Sequence, residues 1–460
     1  MFHRTKQYDI IVVGSGAGAS IVDAAISAGR KVAWADRGPL GGTCLNVGCI
    51  PTKMLVEVAD RIMEIREAGK LGVTAEIQGV DFAGVMARMR RSVGEGVAEI
   101  RHGLEHAPKN LDFYETEAHF VAPYTLDAGG RRIQAETIFL ASGARPLIPP
   151  IRGLAETPYL TNETALALEE RPASMLILGG GYIACEFAHF FAAMGTQVTI
   201  VGRNPRLLPD EEPEISDLVK IKMAERMAVH TGVEAIEVGR TPAGVRVVGR
   251  EKATGALRDF EAEALLVAVG RQSNADRLQV EKAGIEVDAA GYIKTQPHLE
   301  TNQKGIWAFG DALGKHMYRH VANEQANLVW HNFSHGHNDV FATHAVPHAV
   351  FCWPQVAGVG MTEREARQNH QVLVGQAGYM SVAKGEAMLE TDGFAKVILE
   401  KETYKILGFH IVGPQASVLI QEVIGVMAMT SGEAGNLFTP MHIHPALSEL
   451  ILRTFSHLHE

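Results

Sequence analysis

Cysteine is scarce in this chain: four residues in 460, too few for a disulfide scaffold. A strong charge of either sign is missing too. The formal net charge of −10 argues against nucleic acid, which favours a basic surface, and is too small for a salt-adapted acidic one. No run of about 18 uncharged apolar residues occurs, so no membrane partner is expected. The stretch Met1 to Tyr8 is polar and leads straight into an apolar run, leaving no room for a secretory signal. A cytoplasmic protein is expected. With 46% hydrophobic and 21% charged residues, the composition is that of an ordinary globular protein. Its length calls for two to four domains.

What is present begins with a grammar that occurs twice. An apolar run, Tyr8 to Val13, leads into Gly14-Ser-Gly16-Ala-Gly18-Ala19, then an Ala-rich helical stretch and a second apolar run closed by Asp36. Strand, glycine turn, helix, strand and terminal acid form the pattern of a dinucleotide fold. Gly14 makes the sharp turn and Gly16 lets a pyrophosphate approach the helix N-terminus. Ala19 keeps helix and strand close, and Asp36 can accept a ribose hydroxyl. About 165 residues on, Met175 to Leu178 leads into Gly179-Gly-Gly181-Tyr182-Ile-Ala184, a helical stretch and the run Gln197 to Val201. Here the terminal acid is missing, and Gly202-Arg203 follows instead. An acid favours the 2′-hydroxyl of NAD, whereas an arginine can neutralise the 2′-phosphate of NADP. The coenzyme is therefore NAD(H) or NADP(H), leaning to NADP(H), unless Arg203 merely faces solvent.

Pro146 to Pro150 reads as a crossing between domains. Ala264 to Val269, ending in Gly270, closes the central domain. After about His344 the character changes to strand runs followed by the helical stretch Ser417 to Met429. The expected fold is α/β, with two dinucleotide-binding (Rossmann-like) domains and a C-terminal α+β domain. The expected divisions are residues 1–149, 150–270, 271–340 and 341–460.

Cys44 and Cys49 stand apart from the isolated Cys185 and Cys352, which read as buried small hydrophobes. In a regular helix, residues five apart have Cα atoms about 8–9 Å apart, whereas a disulfide wants roughly 4.4–6.8 Å. Gly48 permits a distorted loop, and Pro51 disfavours helical geometry at Ile50. Strained disulfides are the easily reduced ones. A structural disulfide is unusual in cytoplasm, and zinc would want closer spacing and a second pair. Redox chemistry is the expectation.

These residues resemble the pyridine nucleotide–disulfide oxidoreductase family, which includes dihydrolipoamide dehydrogenase and mycothione reductase. The likeness runs over essentially the whole chain. It is carried by Gly14 to Ala19, Gly42-Thr43-Cys44 through Lys53, Ser142-Gly143 within Ala141 to Pro146, Gly179 to Glu186, Ala308 to Asp311 and His442 to Glu449. The resemblance implies FAD along the first unit, with Gly310 and Asp311 beside its ribityl–phosphate region, and a nicotinamide gated by Tyr182. It implies Cys49 facing the flavin, Cys44 exchanging with substrate, and a Lys53–Glu186 ion pair near the flavin. His444 becomes the base, Glu449 its orienting carboxylate, and the His444–Pro445 bond cis. The C-terminal domain becomes a dimerisation domain, and the protein a homodimer whose active site is shared between subunits.

The implied activity is dihydrolipoamide dehydrogenase, acting on a small dithiol/disulfide substrate or on a lipoyl-bearing protein. The alternative is an NADPH-dependent mycothione or other low-molecular-weight disulfide reductase, towards which Ala184 and Arg203 lean. A non-catalytic flavoprotein scaffold would need neither the two cysteines nor a base. No metal site is expected: His331, His335 and His337 read as a polar loop without a carboxylate partner at ligand spacing. The acidic run Asp210 to Glu214 reads as a solvated loop.

Overall fold

The computed structural model describes residues 5–429 and 431–460, so part of the N-terminal stretch read above, Met1 to Arg4, and Thr430 lie outside the described residues. The chain divides into two compact units. One comprises the residues through Thr52, Ala87–Leu147 and Gly270–Phe341, the other Lys53–Met86, Ile148–Val269 and Ala342–Glu460.

In the first unit, near-continuous apolar runs make buried parallel strands. The sheet runs Ile306–Ala308, Thr137–Leu140, Ile10–Val13, Val32–Asp36, Leu111–Glu115, parallel throughout. Ile10, Ile11 and Val12 are wholly buried, and the helix Gly18–Ser27 follows the central strand directly. A small four-stranded sheet, ending in Ala118–Ala122, accompanies it.

The second unit repeats the device. Its parallel sheet runs Ala228–Thr231, Gln197–Gly202, Ser174–Leu178, Ala264–Val267, and the helix Tyr182–Ala193 follows the central strand. Its C-terminal part is a five-stranded antiparallel sheet, from Pro347–Val350 at one edge to Val372–Gly378 at the other. The architecture is α/β: two dinucleotide-binding folds and a C-terminal α+β domain. Among the described residues, no helix is long and apolar enough to cross a membrane.

The acidic run departs from its reading as a solvated loop. Glu211 and Glu212 are buried, because each has a cationic partner. Glu211 Oε1 lies 2.6 Å from His348 Nε2. Lys396 Nζ, itself buried, donates to Glu212 at 2.8 Å and Glu214 at 2.5 Å. A buried charge persists only when paired in this way.

Candidate active site

In the first unit, the glycine turn is built by close approach. Gly14 has φ +103°, and a Cβ there would stand 2.2 Å from the carbonyl oxygen of Ala141. Asp36 accepts hydrogen bonds from the amides of Ser15 and Gly38, both at 2.5 Å. The cysteine segment packs onto this turn. A Cβ on Gly42 (φ +64°) would come within 2.8 Å of Gly16 Cα, and Gly41 N donates to Ser15 Oγ at 2.9 Å. The chain thus sets Thr43 and Cys44 directly beyond the dinucleotide turn. Ala19 lies in the following helix.

The local backbone differs from the distorted loop expected. Cys44 sits in a short helix, Gly42–Asn46, and Cys49 is the first residue of a long one, Cys49–Glu67. The break falls at Val47 and Gly48, where a Cβ on Gly48 would lie 2.9 Å from Thr43 O. Pro51 does not keep Ile50 out of the helix. It occupies the first turn, where its missing N–H would have had no partner anyway. Two helices meeting at a corner bring the sulfurs together where one continuous helix would separate them.

Both residues are thiols in this structure, and the Cys49 side chain is hydrogen-bonded to that of Cys44. That bond first, and burial second, hold the Cys44 thiol well above the usual range, opposed by the Arg319 guanidinium. Cys44 therefore keeps its proton and needs a base to react. Arg319, unnoticed in the sequence, opens the helix Arg319–His335. Its Nη1 stands 3.7 Å from where a Cβ on Gly16 would be. With Arg319→Gln, alkylation of reduced Cys44 by iodoacetamide is expected to slow roughly threefold to tenfold at neutral pH, because less thiolate forms. An unchanged rate–pH profile would remove Arg319 from the site.

Polar groups on this unit suit a flavin dinucleotide. Among the described residues the buried Ser142 hydroxyl lacks a hydrogen-bond partner, and Gly143 beside it has φ +66°. Burial raises the Asp311 carboxyl, partly offset by Arg271 and Arg319; Arg271 Nη2 lies 3.6 Å from it. Gly310, with φ +67°, donates its amide to the buried Gln325. A hydroxyl left over, an acid on a turn and two guanidiniums are donors and acceptors for ribityl and phosphate groups.

In the second unit, Lys53 Nζ donates to both oxygens of the buried Glu186, at 2.8 and 2.7 Å. Phe351 N also donates to Glu186, at 3.1 Å, and the Phe351 ring lies 4.5 Å from Lys53 Nζ. Beside this pair stands a chain that the sequence did not disclose. Arg226 donates to His189 Nδ1 at 3.1 Å. Since arginine cannot accept, the ring's Nε2 carries the hydrogen and donates to Asp60 at 2.8 Å. Burial lowers the His189 pKa, consistent with that neutral form. Burial also pushes up the thiols of Cys185 and Cys352, the latter to about 12, which keeps both out of exchange chemistry.

The glycine turn of the second unit repeats the first. A Cβ on Gly179 (φ +126°) would stand 2.2 Å from Ala268 O. Gly181 caps the helix begun by Tyr182, and Ala184 is buried within it. Gly270 (φ +137°) belongs instead to the first unit. Arg203 is exposed just past the strand Gln197–Gly202, while Arg206 is held by Asp217 at 2.8 Å.

Near the C-terminus, His444 Nδ1 lies 2.9 Å from Glu449 Oε1, and Glu449 Oε2 accepts from Ala446 N at 3.1 Å. His444 pulls the Glu449 carboxyl below the usual range, so the ionised acid accepts from Nδ1–H and leaves Nε2 to take a proton. The His444 side chain is 71% exposed, and its neighbours Met441 and Ile443 are 99% and 78% exposed. The His444–Pro445 bond is cis.

Comparison with known proteins agrees in kind. The family model described as pyridine nucleotide-disulphide oxidoreductase matches residues 8–326, and that of the same family's dimerisation domain matches 346–454. Mycothione reductase of Mycobacterium tuberculosis is 35% identical over 97% of this chain and 98% of that protein. Dihydrolipoyl dehydrogenase of Chlamydia trachomatis is 32% identical over 97% and 95%. The solved HOCl-induced flavoprotein disulfide reductase RclA from Escherichia coli superposes with a TM-score of 0.85 at 29% identity, covering 98% of this chain and 99% of that one.

Proposed function

Because the chain belongs to the pyridine nucleotide-disulphide oxidoreductase family, we propose that it is an NADPH-dependent reductase of a low-molecular-weight disulfide, working through Cys44 and Cys49. The broader class is plain: it is a flavoprotein disulfide oxidoreductase with a dimerisation domain. FAD and a nicotinamide coenzyme are typical of that family, and bound FAD supplies two-electron exchange between nicotinamide and disulfide. Ser142, Asp311, Arg271 and Arg319 are the residues that would hold it, with the turn at Gly14 and Gly16 for its pyrophosphate.

The chain's own steps begin with the dithiol. His444 removes the Cys44 proton, and the thiolate attacks one sulfur of the substrate disulfide. A Cys44–substrate bond forms, the substrate S–S bond breaks, and the leaving thiolate takes the proton back from His444. Cys49 then gives its proton to His444 and its sulfur attacks Cys44 sulfur; the Cys44–substrate bond breaks, the second substrate half leaves as a thiolate that takes that proton, and the Cys44–Cys49 disulfide closes. Two electrons and two protons have passed from the dithiol to the substrate. Glu449 holds the imidazole so that Nε2 faces the thiol. The exposed Met441 and Ile443 support burial of this segment in a homodimer, where His444 serves the partner's cysteine pair.

The observation that carries the coenzyme is Arg203, exposed directly after Gly202, which stands where NAD-using folds keep an acid. In Arg203→Asp, kcat/KM for NADPH should fall about tenfold to a hundredfold, the worth of one charge-assisted contact, while NADH gains. Equal use of NADPH by variant and parent would contradict the assignment. A second reading, dihydrolipoamide dehydrogenase with a small or protein-borne lipoyl substrate and NAD, was the activity expected from the sequence. It is supported by relatives of that name at 30–32% identity. Lipoamide with NAD⁺, assayed against NADPH with a panel of oxidised thiols, separates the two.

A further inference from the structure

The helix Arg319–His335 ends in a cluster that the disulfide chemistry does not use. His331 and His335 lie on its last turn, Gly336 caps it at φ +68°, and the chain then doubles back. His331 and His335 are thus helical, unlike the polar loop expected. The carboxylate missing from the sequence pattern is supplied by Asp339. His331 Nε2 lies 2.9 Å from His337 Nδ1 and 3.3 Å from Asp339 Oδ2, while His337 Nδ1 lies 3.9 Å from the same oxygen.

From these positions we propose a divalent transition-metal site formed by His331, His337 and Asp339, for an ion of the zinc, nickel or copper(II) class. Ligand type comes first. Two imidazole nitrogens and one carboxylate oxygen suit those ions and leave coordination positions for water. Spacing agrees. With metal–ligand bonds of about 2.0–2.1 Å, ligand atoms 90° apart are about 2.9 Å from each other and tetrahedral ones about 3.3 Å. Two of the three separations have those values, and the third closes with a small turn of an exposed side chain.

The backbone is also fixed in advance. Asn332, 1% exposed, receives Asp339 N on its Oδ1 at 3.0 Å and donates from Nδ2 to Asp339 O at 2.9 Å. His337 N donates to Asn332 O at 3.1 Å. One buried amide therefore clamps the acid-bearing segment to the histidine-bearing helix turn, so that metal binding need not order the loop. His335, whose ring centroid is 4.6 Å from that of His331, is a neighbour with its Nδ1 engaged by Ser334 Oγ.

The test titrates Zn²⁺ against a competing chromophoric chelator. It uses the FAD-loaded protein with the Cys44–Cys49 disulfide closed, so that thiolates cannot bind. The parent should take up one equivalent that His337→Ala and Asp339→Ala each weaken at least tenfold, with disulfide reductase activity unchanged. Zn²⁺ held at His442 or His444 would persist in both variants and is thereby distinguished. Equal affinity in parent and variants, or no equivalent sensitive to either substitution, overturns the proposal.

Discussion

Cys49→Ser is expected to lower disulfide turnover on the order of ten-thousandfold or more, because a hydroxyl cannot close a bond to sulfur. The defect should have a chemical signature. Cys44 can still attack the substrate, but nothing resolves the product, so the chain accumulates with one substrate half linked to Cys44. Intact-protein mass spectrometry would read that adduct directly. Cys44→Ser should be equally inactive and form no adduct. Transfer of electrons from NADPH to an artificial dye needs neither thiol and should survive in both variants, showing that the fold is intact. Cys49→Ser turnover above about one per cent of the parent would mean that the resolving sulfur is elsewhere. Cys185 and Cys352 are poor candidates, being wholly buried.

His444→Gln should cost about a hundredfold to ten-thousandfold in disulfide turnover, the range for a general acid–base group, again with dye reduction kept. The carboxamide preserves hydrogen bonding but cannot carry a proton. Glu449→Gln should cost less, since it only loosens the imidazole's orientation. The shared-site reading adds a sharper outcome. A heterodimer of one His444→Gln chain and one Cys49→Ser chain should regain one working site in two, formed by intact cysteines on one subunit and intact His444 on the other. If the histidine served its own chain's cysteines, the heterodimer would stay inactive.

The sequence exposed whatever is encoded locally. Both dinucleotide turns were legible because each needs glycine at a position that tolerates nothing larger, as the contacts at Gly14 and Gly179 make plain. The pairing of His444 with Glu449 was legible from five-residue spacing and resemblance. What sequence reading could not reach arises from chain segments far apart. Arg319 is separated from Cys44 by some 275 residues, and a lone arginine at a helix start carries no local signal. Glu212 looked solvated because Lys396, its partner, stands 184 positions away. Asp339 is only two residues from His337, but its convergence on His331 depends on the reversal at Gly336 and the Asn332 clamp. The geometry around Pro51 was misjudged for a different reason. A proline that disrupts the middle of a helix is well accommodated in its first turn.

This chain is expected to make and break its own sulfur–sulfur bond in step with bound flavin, and a count of its thiols reads that exchange. The oxidised, FAD-loaded protein is reduced anaerobically with one equivalent of NADPH, denatured, and titrated with a chromogenic thiol reagent. Two more thiols per chain should appear than in the untreated sample, and peptide mapping should assign them to Cys44 and Cys49. A flavin that is bleached by NADPH while the thiol count stays the same would mean that electrons never reach the Cys44–Cys49 pair.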